Sequence, residues 1–374
     1  MEQRDRTILA LTMIDGLGGR KIKLLLGAVH QPEDLFNLSY KELIRIPGVG
    51  PNIAGAVSGF KSWDKVDEVL DQTEKTGSRI LSIETDGYPD LLRQLPESPL
   101  LLWVKGNVDA LSTDAIAVVG TRRASKYGRE MAEKLTRELI SSGFTITSGL
   151  AYGIDTDAHR ICVEQGAPTV AVFGSGIDWI YPNSNIPLAH RILEEDGAWV
   201  SEFPPGTKPD AGNFPVRNRI VSGLSLGTLV IESGDEGGSM ITAKMALDQN
   251  REVFAVPHPV GATGGAGCNM LIKNGMAKLV ENIEDINSEI RRYYSKEPVT
   301  ADAPKITKKP ECEERTDLDD QSRMICKLLS EGPLHIDSIS EQSGIPTDKL
   351  LVKLLELEFA SCVKQRAGKY FELG

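Results

Sequence analysis

Short apolar segments alternate with longer amphipathic segments through the middle of the chain, between residues 108 and 285. Segments that alternate in this way form strands and helices, and such strands lie parallel in a sheet that helices cover on both faces. The sequence therefore predicts an α/β domain in this region. The predicted strands are residues 115–120, 145–148, 169–173, 199–202, 228–232, 252–256 and 278–280.

The chain of 374 residues is long enough for several domains, and its composition changes along its length. Residues 1–72 have the spacing of short helices joined by glycine turns. Residues 73–290 contain the α/β unit, with residues 73–107 expected at the edge of its sheet. Residues 291–318 are polar and rich in proline and charge, which is typical of a linker, and residues 319–374 return to amphipathic helical spacing.

The composition excludes several classes of protein. The 40% hydrophobic and 25% charged residues are ordinary for a globular protein, and no run of about 18 apolar residues is present that would span a bilayer. The charged start has no apolar signal segment behind it, and the five cysteines are scattered, so we expect a cytoplasmic protein without disulfides, membrane contact or a metal site. The net charge of −11 argues against coating of nucleic acid by the whole surface, although a local basic site is still compatible with it.

The first predicted strand runs into a glycine and then into a basic stretch. Gly120 permits a sharp turn at the carboxyl end of the strand, where ligands bind in open α/β sheets. Residues 122–137 carry six Lys or Arg against two Asp or Glu. Arg122 and Arg123 are well placed for phosphate oxygens, whereas the later cations of this stretch fit a solvated helix face.

Three further glycine-rich loops follow predicted strands, at residues 148–155, 173–178 and 231–239. Bare backbone amides and small hydroxyls at the start of a helix form an anion site, and loops at successive strand ends converge on one crevice. The spacing matches neither the dinucleotide pattern GxGxxG nor the P-loop, so we expect no nicotinamide and no other cofactor.

Residues 213–219 combine an aromatic ring with two arginines and two asparagines. Arg217 and Arg219 point in different directions on a helix, so that one reaches ligand phosphate while the other braces a neighbouring loop. Phe214 has two open interpretations, a ring that stacks on a nucleic-acid base and a core or lid residue.

Both ends of the chain contain helical motifs. The turn of residues 47–50 and a weaker copy at residues 14–21 fit tandem helical hairpins. Such hairpins serve either DNA contact or, given nine Lys or Arg against ten Asp or Glu in residues 1–72, a structural or protein-contacting role. Near the other end, predicted helices at residues 319–330, 335–343 and 347–358 precede a two-stranded wing with Gly368 at its turn. Seven Lys or Arg against nine Asp or Glu in residues 319–374 favour a protein-contacting module over a reader of duplex DNA, although Lys364, Arg366 and Lys369 on the wing argue the other way.

Several motifs occur together in a characteristic order. They are VVGTR at residues 118–122, SGLAxGID at 148–155, GSGIDxxYP at 174–182, NFPxRNRIxSGL at 213–224, GGSMITA at 237–243 and GCNxLI at 267–272. Together they resemble the DNA-processing protein A family (DprA, also called Smf). That resemblance implies an extended Rossmann-like parallel sheet domain flanked by an all-α helix-hairpin-helix, SAM-like domain and a carboxyl-terminal winged-helix domain.

The resemblance also implies a function and a site. The family binds single-stranded DNA, dimerises and helps load the RecA recombinase in natural transformation. Asp235 and Glu236 depart from relatives that carry a basic residue in this loop, so the loop is expected to face away from DNA or to bind it weakly. The resemblance and the loop chemistry together give the expected DNA-binding residues as Gly120, Arg122, Arg123, Gly174, Ser175, Gly176, Asn213, Phe214, Arg217, Asn218, Arg219, Gly238, Ser239 and Lys244.

An alternative function is hydrolysis of a small nucleotide, because related Rossmann-like folds include phosphoribohydrolases. Such an enzyme needs a carboxylate and an arginine beside the ribose, for which Glu232 or Asp178 with Arg217 are candidates. The order of the motifs and the flanking domains favour a binding protein without catalytic residues.

Overall fold

The computed structural model describes residues 3–294 and 319–373, except for residues 331, 361, 367 and 368. The described residues form two compact units that divide between Asp285 and Ile286. Within these residues, no helix combines the length and the apolar composition that crossing a membrane requires.

The first unit begins with short helices joined by glycine turns, as the sequence predicts. Gly48 adopts a φ of +83°, a left-handed conformation that favours glycine, and Gly50 then precedes a helix with Pro51 in its first turn. The helix before this turn ends at Leu43, and the chain continues in turns to Gly48. The helices are α1 (Gln3–Thr12), α2 (Gly19–Leu26), α3 (Tyr40–Leu43), α4 (Pro51–Ser58) and α5 (Trp63–Lys75).

A nine-stranded, mostly parallel sheet follows, which confirms the predicted fold class. Each of the seven predicted strands is present, with its ends shifted by at most two residues. Two further strands add antiparallel to the edge, where residues 73–107 were expected to pack. The strands are β1 (Arg79–Ser82), β2 (Leu101–Gly106), β3 (Ala115–Val119), β4 (Thr145–Ser148), β5 (Thr169–Val172), β6 (Ala198–Ser201), β7 (Gly227–Val230), β8 (Glu252–Ala255) and β9 (Lys278–Leu279).

The strand order places β3 at a reversal of the chain. The order across the sheet is β1-β2-β6-β5-β4-β3-β7-β8-β9, so the chain moves one way from β3 to β6 and then returns to the other side of β3 as β7. The buried strands β3, β4, β5 and β7 consist of small and β-branched residues, which suit a sheet covered on both faces. The helices of this part are α6 (Asp90–Arg93), α7 (Lys126–Ser141), α8 (Ile154–Glu164), α9 (Ile186–Glu194), α10 (Asn213–Gly223), α11 (Gly238–Asp248), α12 (Ala266–Lys273) and α13 (Ile283–Tyr294).

The second unit contains a winged helix. Its sheet has the order β10-β12-β11, so the predicted two-stranded wing is extended by a third strand that is too short to give a sequence pattern. Gly368, predicted at the turn of the wing, lies outside the described residues. The elements are α14 (Asp320–Leu329), β10 (Leu334–His335), α15 (Ile336–Ser343), α16 (Thr347–Phe359), β11 (Val363–Arg366) and β12 (Tyr370–Leu373).

Helix α16 occupies the position that enters the major groove in DNA-binding winged helices. Leu351, Leu355 and Phe359, spaced four residues apart along this helix, are 50%, 52% and 82% exposed. Lys353 of the same helix is engaged by Asp319, whose carboxylate accepts from its ammonium at 2.7 Å. An apolar exposed face suits protein contact better than phosphate contact, and the role of this domain stays a prediction.

The predicted linker falls largely outside the described residues. Helix α13 continues through Tyr294, and residues 295–318 are not described. The domain boundaries predicted from composition therefore stay predictions.

A buried hydrogen bond joins the amino-terminal helices to the edge of the sheet. The indole of Trp103 on β2 is 2% exposed and donates to the hydroxyl of Thr73 on α5 at 2.9 Å. That hydroxyl in turn donates to the carbonyl of Val69 at 2.8 Å, so it both accepts and donates. The contact fixes α5, the last helix of the amino-terminal region, against strand β2 of the central sheet.

Replacing Thr73 with valine should destabilise this unit, because the shape is kept while the buried indole N–H loses its acceptor. We expect the free energy of unfolding to fall by about 1–3 kcal/mol. Urea unfolding followed by tryptophan fluorescence measures it, since all four tryptophans (63, 103, 179 and 199) lie in the first unit. Thr73→Ser keeps the hydroxyl and is the matched control; a valine variant as stable as the serine variant would contradict the prediction.

Candidate nucleic-acid interface

A cavity of about 700 Å³ opens at the carboxyl ends of β3 and β7. These strands are neighbours at the reversal of the strand order, which is where open α/β sheets bind ligands. Its walls come from the loops after β3, β4 and β7 and from helices α10 and α11. The glycine-rich loops after β4 and β7 therefore meet here, as the sequence predicts.

The start of helix α11 forms one wall of the cavity. Gly237 precedes the helix with a φ of +154°, and Gly238 and Ser239 begin it. The first backbone amides of a helix have no partner within the helix and carry partial positive charge, which favours an anion. Ser239 and Ser233 are buried in the same wall, with their hydroxyls 2.8 Å apart. Small hydroxyls and bare amides leave room for a phosphate group.

Arg122 supplies a positive charge beside this wall. A Cβ atom at Gly120 would lie 2.5 Å from Cγ1 of Ile154, so the turn that carries Arg122 out of β3 requires glycine. The side chain of Arg122 is exposed and lines the cavity, and no carboxylate of the described residues forms an ion pair with it. Arg123 is also exposed but does not line the cavity.

Two aromatic rings also line the cavity, those of Phe214 and Tyr181. Phe214, in the first turn of α10, is half-buried, and its ring centroid lies 5.5 Å from that of Tyr181. The guanidinium carbon of Arg122 lies 5.9 Å from the centroid of Phe214, a cation–π distance. Phe214 thus lines the cavity and does not belong to the core.

The glycine-rich loop after β5 supports this aromatic pair. A Cβ atom at Gly174 would lie 2.8 Å from Cδ1 of Phe214, so glycine is needed for the ring to approach. Ser175 is buried and donates to the carbonyl of Trp179 at 2.6 Å, and the amide of Gly176 donates to the carbonyl of Thr207 at 2.8 Å. The three predicted residues 174–176 therefore shape the loop and do not line the cavity.

Arg217 is buried beneath the cavity, with 4% of its surface exposed. Its guanidinium donates to the carbonyls of Gly149 and Val172, which lie at the ends of β4 and β5. Burial lowers the pKa of Arg217 to about 10, with Asp155 opposing this shift and Arg122 adding to it. The group is therefore still charged at neutral pH, and it braces the loops as one of the two arginines was expected to do.

Arg219 is engaged elsewhere. Its guanidinium forms a bidentate ion pair with Glu202, with the shorter N···O distance at 2.6 Å, and it does not line the cavity. One of the two arginines was expected to reach ligand phosphate while the other braces a loop. Arg217 braces the loops, and Arg219 pairs with a carboxylate instead of facing the cavity.

The structure brings together half of the predicted site residues. Those that line the cavity are Gly120, Arg122, Phe214, Arg217, Asn218, Gly238 and Ser239. Those that do not are Arg123, Gly174, Ser175, Gly176, Asn213, Arg219 and Lys244, of which Lys244 is exposed on α11.

The cavity also contains negative charge. Glu236 is exposed and lines it, so the loop after β7 faces the cavity, and the expectation that this loop faces away from DNA or binds it weakly stays a prediction. Asp155 lines it too but is buried, and its carboxylate accepts from the amide of Gly149 at 3.1 Å. Burial raises the pKa of Asp155, against the opposing effect of Arg217.

Sequence reasoning missed Tyr181 and Ser233 as cavity residues. The Tyr-Pro pair that ends the motif at residues 174–182 offered a signal for Tyr181, because it keeps an aromatic ring in a loop otherwise made of small residues. Ser233 had the weaker signal of a hydroxyl directly after a predicted strand.

Comparisons with known proteins agree with this architecture. The model described as DNA recombination-mediator protein A matches residues 79–291, that of the DprA winged helix domain matches residues 309–369, and that of a SAM-like helix-hairpin-helix tandem matches residues 8–81. Protein Smf of Escherichia coli strain K12 is 37% identical over 303 residues, which cover 80% of this chain and 79% of that protein.

The chain belongs to the DNA recombination-mediator protein A family. The X-ray structure of DNA processing protein A (DprA) from Streptococcus pneumoniae is 33% identical and covers 77% of this chain and 99% of its own, with a TM-score of 0.67. A Helicobacter pylori DprA structure, reported for its single-stranded DNA binding mode, is 28% identical over 59% of this chain and 99% of its own, with a TM-score of 0.52.

Family membership and geometry both disfavour the nucleotide hydrolase. Glu232 is 3% exposed, and its carboxylate accepts from the amide of Ser125 at 2.8 Å instead of lining the cavity. Asp178 accepts from the amide of Gly206 at 2.9 Å and lies outside the cavity lining as well. Neither carboxylate is therefore placed beside Arg217 to act on a ribose.

A buried histidine lies beside Arg217. His159 on α8 is fully buried, and its Nδ1 is 2.9 Å from the hydroxyl of Thr169, which donates to the carbonyl of Ile146. Burial lowers the pKa of His159 to about 3, and the charge of Arg217 adds to this shift. The imidazole is therefore neutral in the folded protein at neutral pH.

This histidine should make the first unit less stable in mild acid. Below about pH 6.5 the unfolded chain binds a proton at His159, whereas the folded protein does not. The contribution of His159 to the free energy of unfolding is therefore fully present above that pH and is lost as the pH falls toward 3. Between pH 7 and pH 5.5 wild type should lose about 1 kcal/mol more than His159→Gln, as urea unfolding followed by tryptophan fluorescence would measure. Equal losses in the two proteins would contradict the prediction, because they would show that His159 has the same pKa in the folded and unfolded states.

Proposed function

We propose that this chain binds single-stranded DNA in the cavity between the ends of β3 and β7. The observation that carries the proposal is Arg122, an arginine without an ion pair among the described residues, beside Phe214 and facing the start of α11. Cations, bare amides and an aromatic ring in one crevice are the groups that hold a single strand without reading base edges. The binding mode reported for Helicobacter pylori DprA supports the same ligand.

The roles of the residues follow from their exposure. Arg122 and the amides of Gly238 and Ser239 contact phosphate, and Phe214 with Tyr181 offers a surface for a base. Asn218 lines the same wall, with its amide donating to the carbonyl of Gly238 at 3.3 Å. Arg217 and residues 174–176 position these groups without touching the strand.

We further propose that the protein acts in the cytoplasm as a homodimer that helps load the RecA recombinase. The description of the family as a recombination mediator supports this role. Two cavities on one strand would raise the overall affinity by effective concentration, which suits a protein that must hold a strand without sequence preference.

We propose that binding involves no bond-making step. The candidate carboxylates of a hydrolase are buried or held by backbone amides, whereas Glu236, the exposed carboxylate of the cavity lining, sits beside an anion site and would oppose phosphate. The purified chain should therefore release no base from adenosine monophosphate in a chromatographic assay. Release above a no-protein blank that Arg217→Lys abolishes would favour the enzyme instead.

Arg122→Ala should weaken the binding of single-stranded DNA. Loss of a charge-assisted phosphate contact costs about 1.5–3 kcal/mol, so we expect the Kd of a fluorescent dT20 strand to rise about 10-fold or more in an anisotropy titration. A salt series should show that the slope of log Kd against log salt falls by about 0.7, the share of one phosphate contact on a single strand.

The matched control is Arg191→Ala, which removes an exposed arginine of α9 that does not line the cavity. It should bind dT20 like wild type, and the duplex of the same length should bind more weakly than the single strand to both. Wild-type binding by Arg122→Ala at every salt concentration would place the DNA site elsewhere.

A further inference from the structure

Two exposed side chains outside the cavity lie side by side next to its aromatic wall. Trp179 is 41% exposed, and the ammonium of Lys208 lies 5.8 Å from the centroid of its indole. Trp179 precedes Tyr181 by two residues, and Lys208 is followed by Pro209, so both neighbours belong to the cavity lining. Neither Trp179 nor Lys208 lines the cavity itself.

The loops that carry these side chains are tied to each other. Both carboxylate oxygens of Asp178 accept from the amide of Gly206, at 2.9 and 3.0 Å. The amide of Gly176 donates to the carbonyl of Thr207 at 2.8 Å, and Trp179 is held by its own turn through an N–H donated to the carbonyl of Gly176 at 2.9 Å. The pair is therefore positioned by backbone hydrogen bonds before any ligand arrives.

The indole of Trp179 and the ammonium of Lys208 are both accessible to a ligand. Both residues are exposed, and Lys208 forms no ion pair with a carboxylate of the described residues. Other tryptophans of the chain are used differently, since Trp103 and Trp199 are buried and donate hydrogen bonds. A ring and a cation at this spacing match one base and one phosphate of a single strand.

We propose that Trp179 and Lys208 form a second contact for single-stranded DNA, in which a base stacks on the indole and the ammonium neutralises a neighbouring phosphate. This inference rests on the proposed function, because it extends the strand from the cavity past Tyr181. The carboxylate of Asp178 lies next to this pair, but it already accepts from the amide of Gly206, which weakens its repulsion of a phosphate. Asp210 accepts from the amide of Gly212 at 2.8 Å and is engaged in the same way.

The test uses the full chain and a dT20 strand. Trp179→Ala should raise the Kd about five-fold or more, the effect of losing one stacked base, whereas Trp179→Phe keeps a ring and should bind close to wild type. Lys208→Gln should lower the slope of log Kd against log salt by about 0.7, and the control Lys273→Gln, at an exposed lysine of α12, should leave that slope unchanged.

Tryptophan fluorescence gives a second measurement that does not depend on affinity. Stacking on a base should quench Trp179 when dT20 is added, and most of that quenching should be absent in Trp179→Phe, because Trp103 and Trp199 are buried and Trp63 is half-buried.

The outcomes separate this inference from the function on which it rests. The second contact would be overturned if the Trp179 and Lys208 variants kept the affinity, salt slope and quenching of wild type while Arg122→Ala bound weakly. The cavity would then remain as the site. Failure of wild type itself to bind dT20 at low salt would overturn the proposed function and this inference with it.

Discussion

The site depends on the burial of one charged side chain. The guanidinium of Arg217 donates to carbonyls at the ends of β4 and β5, where parallel strands leave backbone groups without ladder partners. An isolated charge at this depth would cost several kcal/mol, and Asp155 compensates part of it. Because Arg217 ties adjacent strand ends to α10, it fixes where the first turn of that helix places Phe214 and hence where the aromatic wall of the cavity lies.

Arg122 and Arg217 divide two tasks that one arginine could not perform. Arg217 is held by carbonyls and cannot follow a ligand, whereas Arg122 is exposed and lies over the ring of Phe214. The charge of Arg122 contributes to lowering the pKa of Arg217, so the two guanidinium groups repel each other. An anion bound at the site we propose would relieve that repulsion, in addition to its attraction to the start of α11.

Most of the fold followed from the sequence because its signals are local. Strand-helix alternation, Gly48 in its turn and the motif order each depend on residues close together in the chain. The pairing of Arg219 with Glu202 did not follow, because seventeen positions separate them and either arginine of the motif satisfies the same spacing. The third strand of the winged helix was missed because two residues, Leu334 and His335, carry no periodicity.

The net negative charge of the chain limits where a phosphate backbone could bind. With a net charge of −11, most of the protein repels a phosphate backbone, and the apolar face of α16 offers a strand no charge to bind. At the site we propose, the attraction would come from Arg122 and Lys208, which form no ion pair with a carboxylate of the described residues. Glu236 would limit that attraction, so stacking on Phe214, Tyr181 and Trp179 would supply part of the affinity. A contact that shares its energy between stacking and charge would hold a strand of any sequence and would favour it over the duplex, whose bases are already stacked on each other.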